Sequence, residues 1–397
     1  MRTHRLSPLV WLVCLLAPVA CSRSAPEPAP GASTSAAAPS STASAAPGAG
    51  RTLRAHVEAL PLELDRVGAA AALDAKRGLL YVWGGATHPL RPGGKPLRAD
   101  PGLLDVIDVR AGRGSQVRLI GNGPAGVHVP AMAFDPHGTG ALYVFGGWPE
   151  ARRAPTDTLH RIDLAKSQPT VQLAPKTGSG PSARNGAAMA CDGEGNALWL
   201  FGGDAATGPK GSFHPEGDLW RYDLEAMKWE QVTAGGPAPP ARWHAALAID
   251  EIGRKAYLFG GAGEGPTAFD ARLYQLDLAS REWSALPAAG DSPPSLQGAT
   301  LTLDAAVRAL VLAGGLRNEP PGAAVPGMLW WFDLEGGRWH KSDSAGPLTR
   351  RDHVAAYDPE TGAHILLGGQ VSQKVGNFYE IGEFVKPGAR VQLKTEP

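Results

Sequence analysis

The sequence predicts an all-β chain closed into a six-bladed β-propeller, four antiparallel strands per blade, after a signal segment and a disordered linker. Three observations predict it. An apolar strand runs into a glycine pair six times, at Gly84-Gly85, Gly146-Gly147, Gly202-Gly203, Gly260-Gly261, Gly314-Gly315 and Gly368-Gly369. The first glycines of these pairs are spaced by 62, 56, 58, 54 and 54 residues. An Asp stands ten residues before the first glycine (Asp74, Asp192, Asp250, Asp304, Asp358) or eleven before it (Asp135). A period of roughly 50 residues built from short strands is that of a propeller array, whose repeats bury their faces only on one another.

The elements of one repeat follow in order. Small-residue stretches ahead of each Asp, such as Gly68 to Ala72, Gly186 to Ala190 and Ala245 to Ala248, suit strands crowded around a central axis and read as the innermost strands. The Asp, followed by Gly78, Gly138, Gly195, Gly253 or Gly362, supplies the turn of a hairpin. The apolar run that ends in Gly-Gly is the second strand. A variable loop leads to a third strand with an aromatic-Asp-apolar pattern, clearest at Leu219–Leu224, Leu273–Leu278 and Leu329–Leu334. Six residues after that Asp, Trp229, Trp283 or Trp339 opens the fourth strand. The first two repeats keep Asp108 and Asp163 and place Val117 and Val171 where the others have Trp. In the sixth, Gly382 stands for the Asp and Val391 is expected in the fourth strand. Val57 to Leu62 and Arg390 to Leu393 both read as outer strands, and either can complete the last blade.

This combination of an apolar run, Gly-Gly, Tyr-Asp and a spaced Trp resembles the kelch repeat from about Asp65 to Lys394. The resemblance implies a β-propeller. The glycine pairs themselves read as places where no side chain fits and positive φ is tolerated, not as phosphate-binding loops.

Composition bounds the partners. Lys+Arg and Asp+Glu are both 38, so no basic surface for nucleic acid is expected. Residues 1–20 read as a signal peptide: Arg2 and Arg5 precede the apolar run Leu9 to Ala20, too short to span a membrane as a helix. Cys21 directly after Ala20 resembles the lipidated residue of a bacterial lipoprotein, with simple secretion as the alternative. Residues 21–50, rich in Ala, Ser, Pro and Gly, read as a tether spanning roughly 30 Å, and 51–397 as the propeller. Cys191 is then the one thiol of the propeller, which excludes a disulfide within it and reads as a small buried hydrophobe.

Chemistry-bearing residues gather where the inner strands begin. Arg184, Arg242 with Trp243, and Arg351 with Asp352 enter three of these strands, and Arg66, His128 and Gln297 lie near the starts of the others. As ligand groups they would ring one channel mouth and grip an anion or acidic ligand with guanidinium forks; as framework they would bond neighbouring blades. The loops after the glycines share that face, and Trp148, Phe213, His214 and Glu216 are their candidate contacts. His214-x-Glu216 and Asp352-His353 are isolated pairs, so no metal is expected. Gly121-x-Gly123-x-x-Gly126 carries Pro124 and has no helix behind it, and no cofactor is expected. The sequence thus points to a non-catalytic, monomeric module on the cell envelope. It would bind a protein, peptide or glycan and touch the membrane through lipid only. The alternative is a sugar-modifying enzyme resembling periplasmic kelch-type mutarotases of acidic sugars.

Overall fold

The computed structural model describes residues 52–87, 97–124, 127–149, 154–165, 167–175, 178–206, 213–264, 270–287, 289–317, 328–343, 348–371, 373–375, 378–380 and 383–396. The expected signal, lipidated Cys21 and tether lie outside the described residues. The described residues form six blades of antiparallel strands and no helix. The first blade is Ala70–Asp74, Leu79–Trp83, Leu103–Asp108 and Arg113–Arg118; the fourth, for comparison, is Trp243–Asp250, Lys255–Ala262, Leu273–Asp277 and Glu282–Leu286. A two-residue strand, Ala289–Gly290, adds in parallel to the outer strand of the fifth blade.

The sixth blade is built from both chain ends. Its order is Thr52–Glu63, Pro387–Glu396, Ala363–Leu367, Val354–Asp358. Val391 pairs with His364 on one side and Val57 on the other, so it lies in the third strand, not the fourth as expected. The N-terminal strand takes the fourth place, in register from Thr52↔Glu396 to Leu60↔Gly388. Neither end closes the ring alone, and the edge of the last sheet is covered by a strand drawn from the other terminus.

Six hydrophobic cores fill the six blade interfaces. The spaced Trp residues are their pins: Trp229, Trp283 and Trp339 meet Phe145, Phe201 and Phe259 of the preceding blade edge-on, with centroids 5.6, 5.6 and 5.5 Å apart.

The repeat Asp has a second task besides its turn. Asp192 accepts the Gly195 N–H at 2.9 Å and also a fork from Arg254 of the next blade. Arg308 reaches Asp250 at 2.6 Å and Arg110 reaches Asp358 at 2.7 Å in the same way. Both glycines of each pair have positive φ. A Cβ on Gly202 would lie 2.4 Å from the Arg242 carbonyl oxygen, which also accepts the Gly203 N–H at 2.9 Å. The pair is thus a backbone clasp onto the next blade, which no side chain could share.

Candidate functional site at the channel mouth

Arg184 and Arg242 sit at the start of their inner strands and are spent on the framework. Arg184 is 1% exposed and grips Asp218 through both terminal nitrogens, at 2.5 and 2.9 Å, while donating to Gly202 O at 3.0 Å. Arg242 donates to Gly260 O at 2.9 Å and pairs with Asp270 at 3.2 Å. The equivalent residue of the sixth blade is Arg350, which donates to Gly368 O at 3.2 Å. Each of the three contacts to a glycine carbonyl spans 18 residues. Arg351, expected at this position, lies one residue further on and so at the mouth. The guanidinium forks expected to hold an anion therefore bind protein carboxylates and carbonyls.

Two residues beyond each framework position, the backbones of the six blades join in a closed ring of hydrogen bonds. Its members are Gly68, Val129, Gly186, His244, Gly298 and Asp352. Each donates its N–H to the carbonyl of the preceding blade, over 2.8–3.2 Å, and Gly68 closes the circle on Asp352. All six have φ between 52 and 63°. Glycine holds that conformation without steric cost, yet alternate members carry side chains. The glycines make room for them: a Cβ on Gly186 would lie 2.5 Å from His244 Cδ2, one on Gly298 2.3 Å from Asp352 Oδ1, and one on Gly68 3.3 Å from Val129 Cγ2. Only three side chains fit around this neck.

A cavity of about 160 Å³ is lined by the ring together with Ala69, Ala187, Ala245, Ala299 and His353. The His244 ring packs on Trp243, centroids 4.3 Å apart, and Phe213 stacks on Trp243 at 4.8 Å and 20°. Phe213 remains 56% exposed, so an aromatic wall faces solvent. Asp352 Oδ2 accepts from Arg351 at 2.5 Å and from Gln370 Nε2 at 3.2 Å. Its Oδ1 faces His244 Nδ1 at 3.7 Å. Burial pushes the Asp352 carboxyl up, but Arg351, His244 and the Gln370 amide outweigh it and hold it below the usual carboxylate range. Burial pushes His244 down, so the ring is neutral near pH 7. Among the described residues His244 Nε2 and Gln370 Oε1 are buried without a hydrogen-bond partner.

The structure brings together Trp243, Phe213, Arg351 and Asp352 among the expected site residues. Trp148 pairs with His128 in a short bridge between the loops of the second blade. His214 and Glu216 serve through their backbones: His214 N–H donates to Asp204 Oδ1 at 2.7 Å, and Glu216 O accepts from Arg242 N–H at 2.9 Å. Sequence reading missed His244, Gln370 and the ring. Counting eighteen residues back from the first glycine would have placed Arg350 in the framework and put His244 and Asp352 at one position. Cys191 packs half-buried in the core between the second and third blades, and burial pushes its thiol up. Among the described residues no group of three or more His, Cys, Asp or Glu could hold a metal ion.

Comparison with known proteins agrees with this architecture. Residues 137–369 match the family model described as the KLHDC2/KLHL20/DRC7 Kelch-repeats domain. Adagio protein 3 of Arabidopsis thaliana is 30% identical over 244 residues, 58% of this chain and 37% of that protein. Multiple epidermal growth factor-like domains protein 8 of Mus musculus is 31% identical over 180 residues, 43% of this chain and 6% of that protein. The chain thus spans little more than a third, or far less, of the length of these curated relatives. The solved structure of YjhT superposes with a TM-score of 0.60 over 85% of this chain and 99% of that one; at 15% identity the likeness is one of fold.

Proposed function

The chain belongs to the kelch-repeat family, and on that premise we propose that it is a non-catalytic binding module whose ligand, a protein, peptide or glycan of the cell envelope, seats on the channel mouth. One observation carries the reading. The ring position needs positive φ in every blade, yet three of six blades place a side chain there against the conformational preference of L-residues. Two of those three, His244 and Asp352, are polar; His244 packs against Trp243 of the Phe213–Trp243 stack, and its Nδ1 lies 3.7 Å from Asp352. Trp243→Ala with Asp352→Asn should abolish capture of an envelope partner while circular dichroism shows the propeller still folded. Unchanged capture would remove the mouth as the site.

The same reading places the propeller outside the bacterial membrane as a monomer, held by lipid on Cys21 through the tether of residues 21–50. A Cys21→Ser protein that still partitions with membranes would defeat the anchor. A second reading, a sugar-modifying enzyme, has one observation in its favour. His244 turns Nδ1 toward Asp352 and leaves Nε2 unbonded, the arrangement of an oriented general base. Anomeric exchange of glucuronate followed by proton NMR tests it; a rate equal to the protein-free rate removes it.

A further inference from the structure

Among the polar atoms left over at the mouth are acceptors on His244, Asp352 and Gln370. His244 Nδ1 is the ring nitrogen nearest Asp352 Oδ1, at 3.7 Å, which favours the tautomer protonated there and leaves Nε2 as a lone pair. That Nε2 is buried without a donor. Asp352 Oδ2 is taken by Arg351 and Gln370, while Oδ1 lies over Gly298 on the lining of the cavity. Gln370, having given its amide nitrogen to Asp352, keeps a buried carbonyl oxygen with no donor. Just outside, Asp204 is buried and its Oδ1 is filled by two backbone N–H groups. The charged and titratable groups acting on His244 and Asp352 include two carboxylates, Asp204 and Asp352, the Arg351 guanidinium and, toward Asp352, His128. The wall beside them is aromatic.

We propose that the mouth receives a primary ammonium group presented by a protein or peptide, either a lysine side chain or a free chain N-terminus. The inference rests on the mouth being the binding site and names the chemistry it reads. An ammonium has three donors and no acceptor, which matches acceptors at His244 Nε2, Asp352 Oδ1 and Gln370 Oε1. It is attracted to the faces of Trp and Phe and to an ionised carboxylate. A carboxylate ligand would instead bring acceptors against acceptors, with Arg351 already held by Asp352.

Saturation-transfer NMR on the full chain tests this with four probes offered separately. Nα-acetyl-lysinamide carries a side-chain ammonium and alaninamide a chain-terminal one; N-acetylglycine carries a carboxylate and methyl glucoside only hydroxyls. The expected result is binding of one or both ammonium probes, and which one binds tells the two sources apart. Asp352→Asn should weaken that binding about tenfold or more, and Trp243→Leu should weaken it independently, so a folding failure of one variant leaves the other to decide. Binding of N-acetylglycine or methyl glucoside in place of the ammonium probes, binding indifferent to both substitutions, or no binding by any probe overturns the proposal. A partner that is captured at the mouth but not displaced by either ammonium probe would sink the ammonium assignment alone.

Discussion

Replacing Arg184 by Met should cost this propeller about 3 kcal/mol without touching its ligand site. Breaking a buried ion pair by removing one partner typically costs about 3–5 kcal/mol. Asp218 keeps 18% exposure of its side chain and a hydrogen bond from Trp220 Nε1, which places the expected loss at the low end. The Gly202 carbonyl also loses its guanidinium donor. For a domain of this size that corresponds to about 4 °C in melting temperature. Asp218→Asn in the same chain should recover part of the loss, since it removes the carboxylate left without its cation. Urea titration of the single and double variants against wild type measures both effects. A loss under about 1 kcal/mol, coupled with lost ligand capture, would refute the framework assignment and restore Arg184 to the site.

Acid should weaken the fold in two windows. Burial holds His160 at about 4 and His353 and His364 at about 3, so these rings stay neutral in the fold while the unfolded chain takes up protons below about pH 6.5. Stability present above that pH is then lost by about 1.4 kcal/mol per pH unit for each ring until its folded value is reached. His364→Asn should flatten the fall of the melting midpoint between pH 6.5 and about 4, and an unchanged slope would count against the assignment. Burial also pushes Asp270 up, but Arg272 and the Tyr274 hydroxyl outweigh it and hold it at about 2; its contribution is present above about pH 4 and fades as pH falls toward 2. Gly186→Ala should destabilise the fold and displace His244, whereas Gly112→Ala, also at positive φ but with no atom within 4 Å of its Cβ, should cost only about 1 kcal/mol; equal midpoints by differential scanning fluorimetry would contradict the packing of the neck. Deleting residues 52–63 should leave the Pro387–Glu396 strand as a bare edge and yield aggregates or dimers in light scattering, where a stable monomer would show that the chain closes without its N-terminal strand.

The sequence made the repeats legible because their marks are local. Gly202-Gly203, Asp192 and Trp229 each stand at a fixed offset within the repeat, so their places are visible from one blade even where their contacts cross to a neighbour. What crosses blades was harder to read. Arg254 reaching Asp192 lies 62 residues away, and the strand partner of Val391 is Val57 at the other end of the chain. Of the candidate site, Trp243, Asp352 and Phe213 were legible as unusual residues on the loop face. Arg184 and Arg242 shared the same stretch of chain, and only the 18-residue contact to the glycine carbonyl separates a framework arginine from Arg351. The ring was hidden for a related reason: Gly68, His244 and Asp352 have no side-chain chemistry in common, and what unites them is φ.

The central claim is that function resides at this mouth and not at the opposite end of the channel. Photo-crosslinking from a benzophenone amino acid placed at Phe213, or at Ile252 on the far hairpin turn, where the native side chain is 86% exposed, compares the two ends directly in cells that express the protein. The account predicts a defined adduct from position 213, lost with Asp352→Asn, and none from position 252. An adduct from position 252 with none from 213 would contradict it.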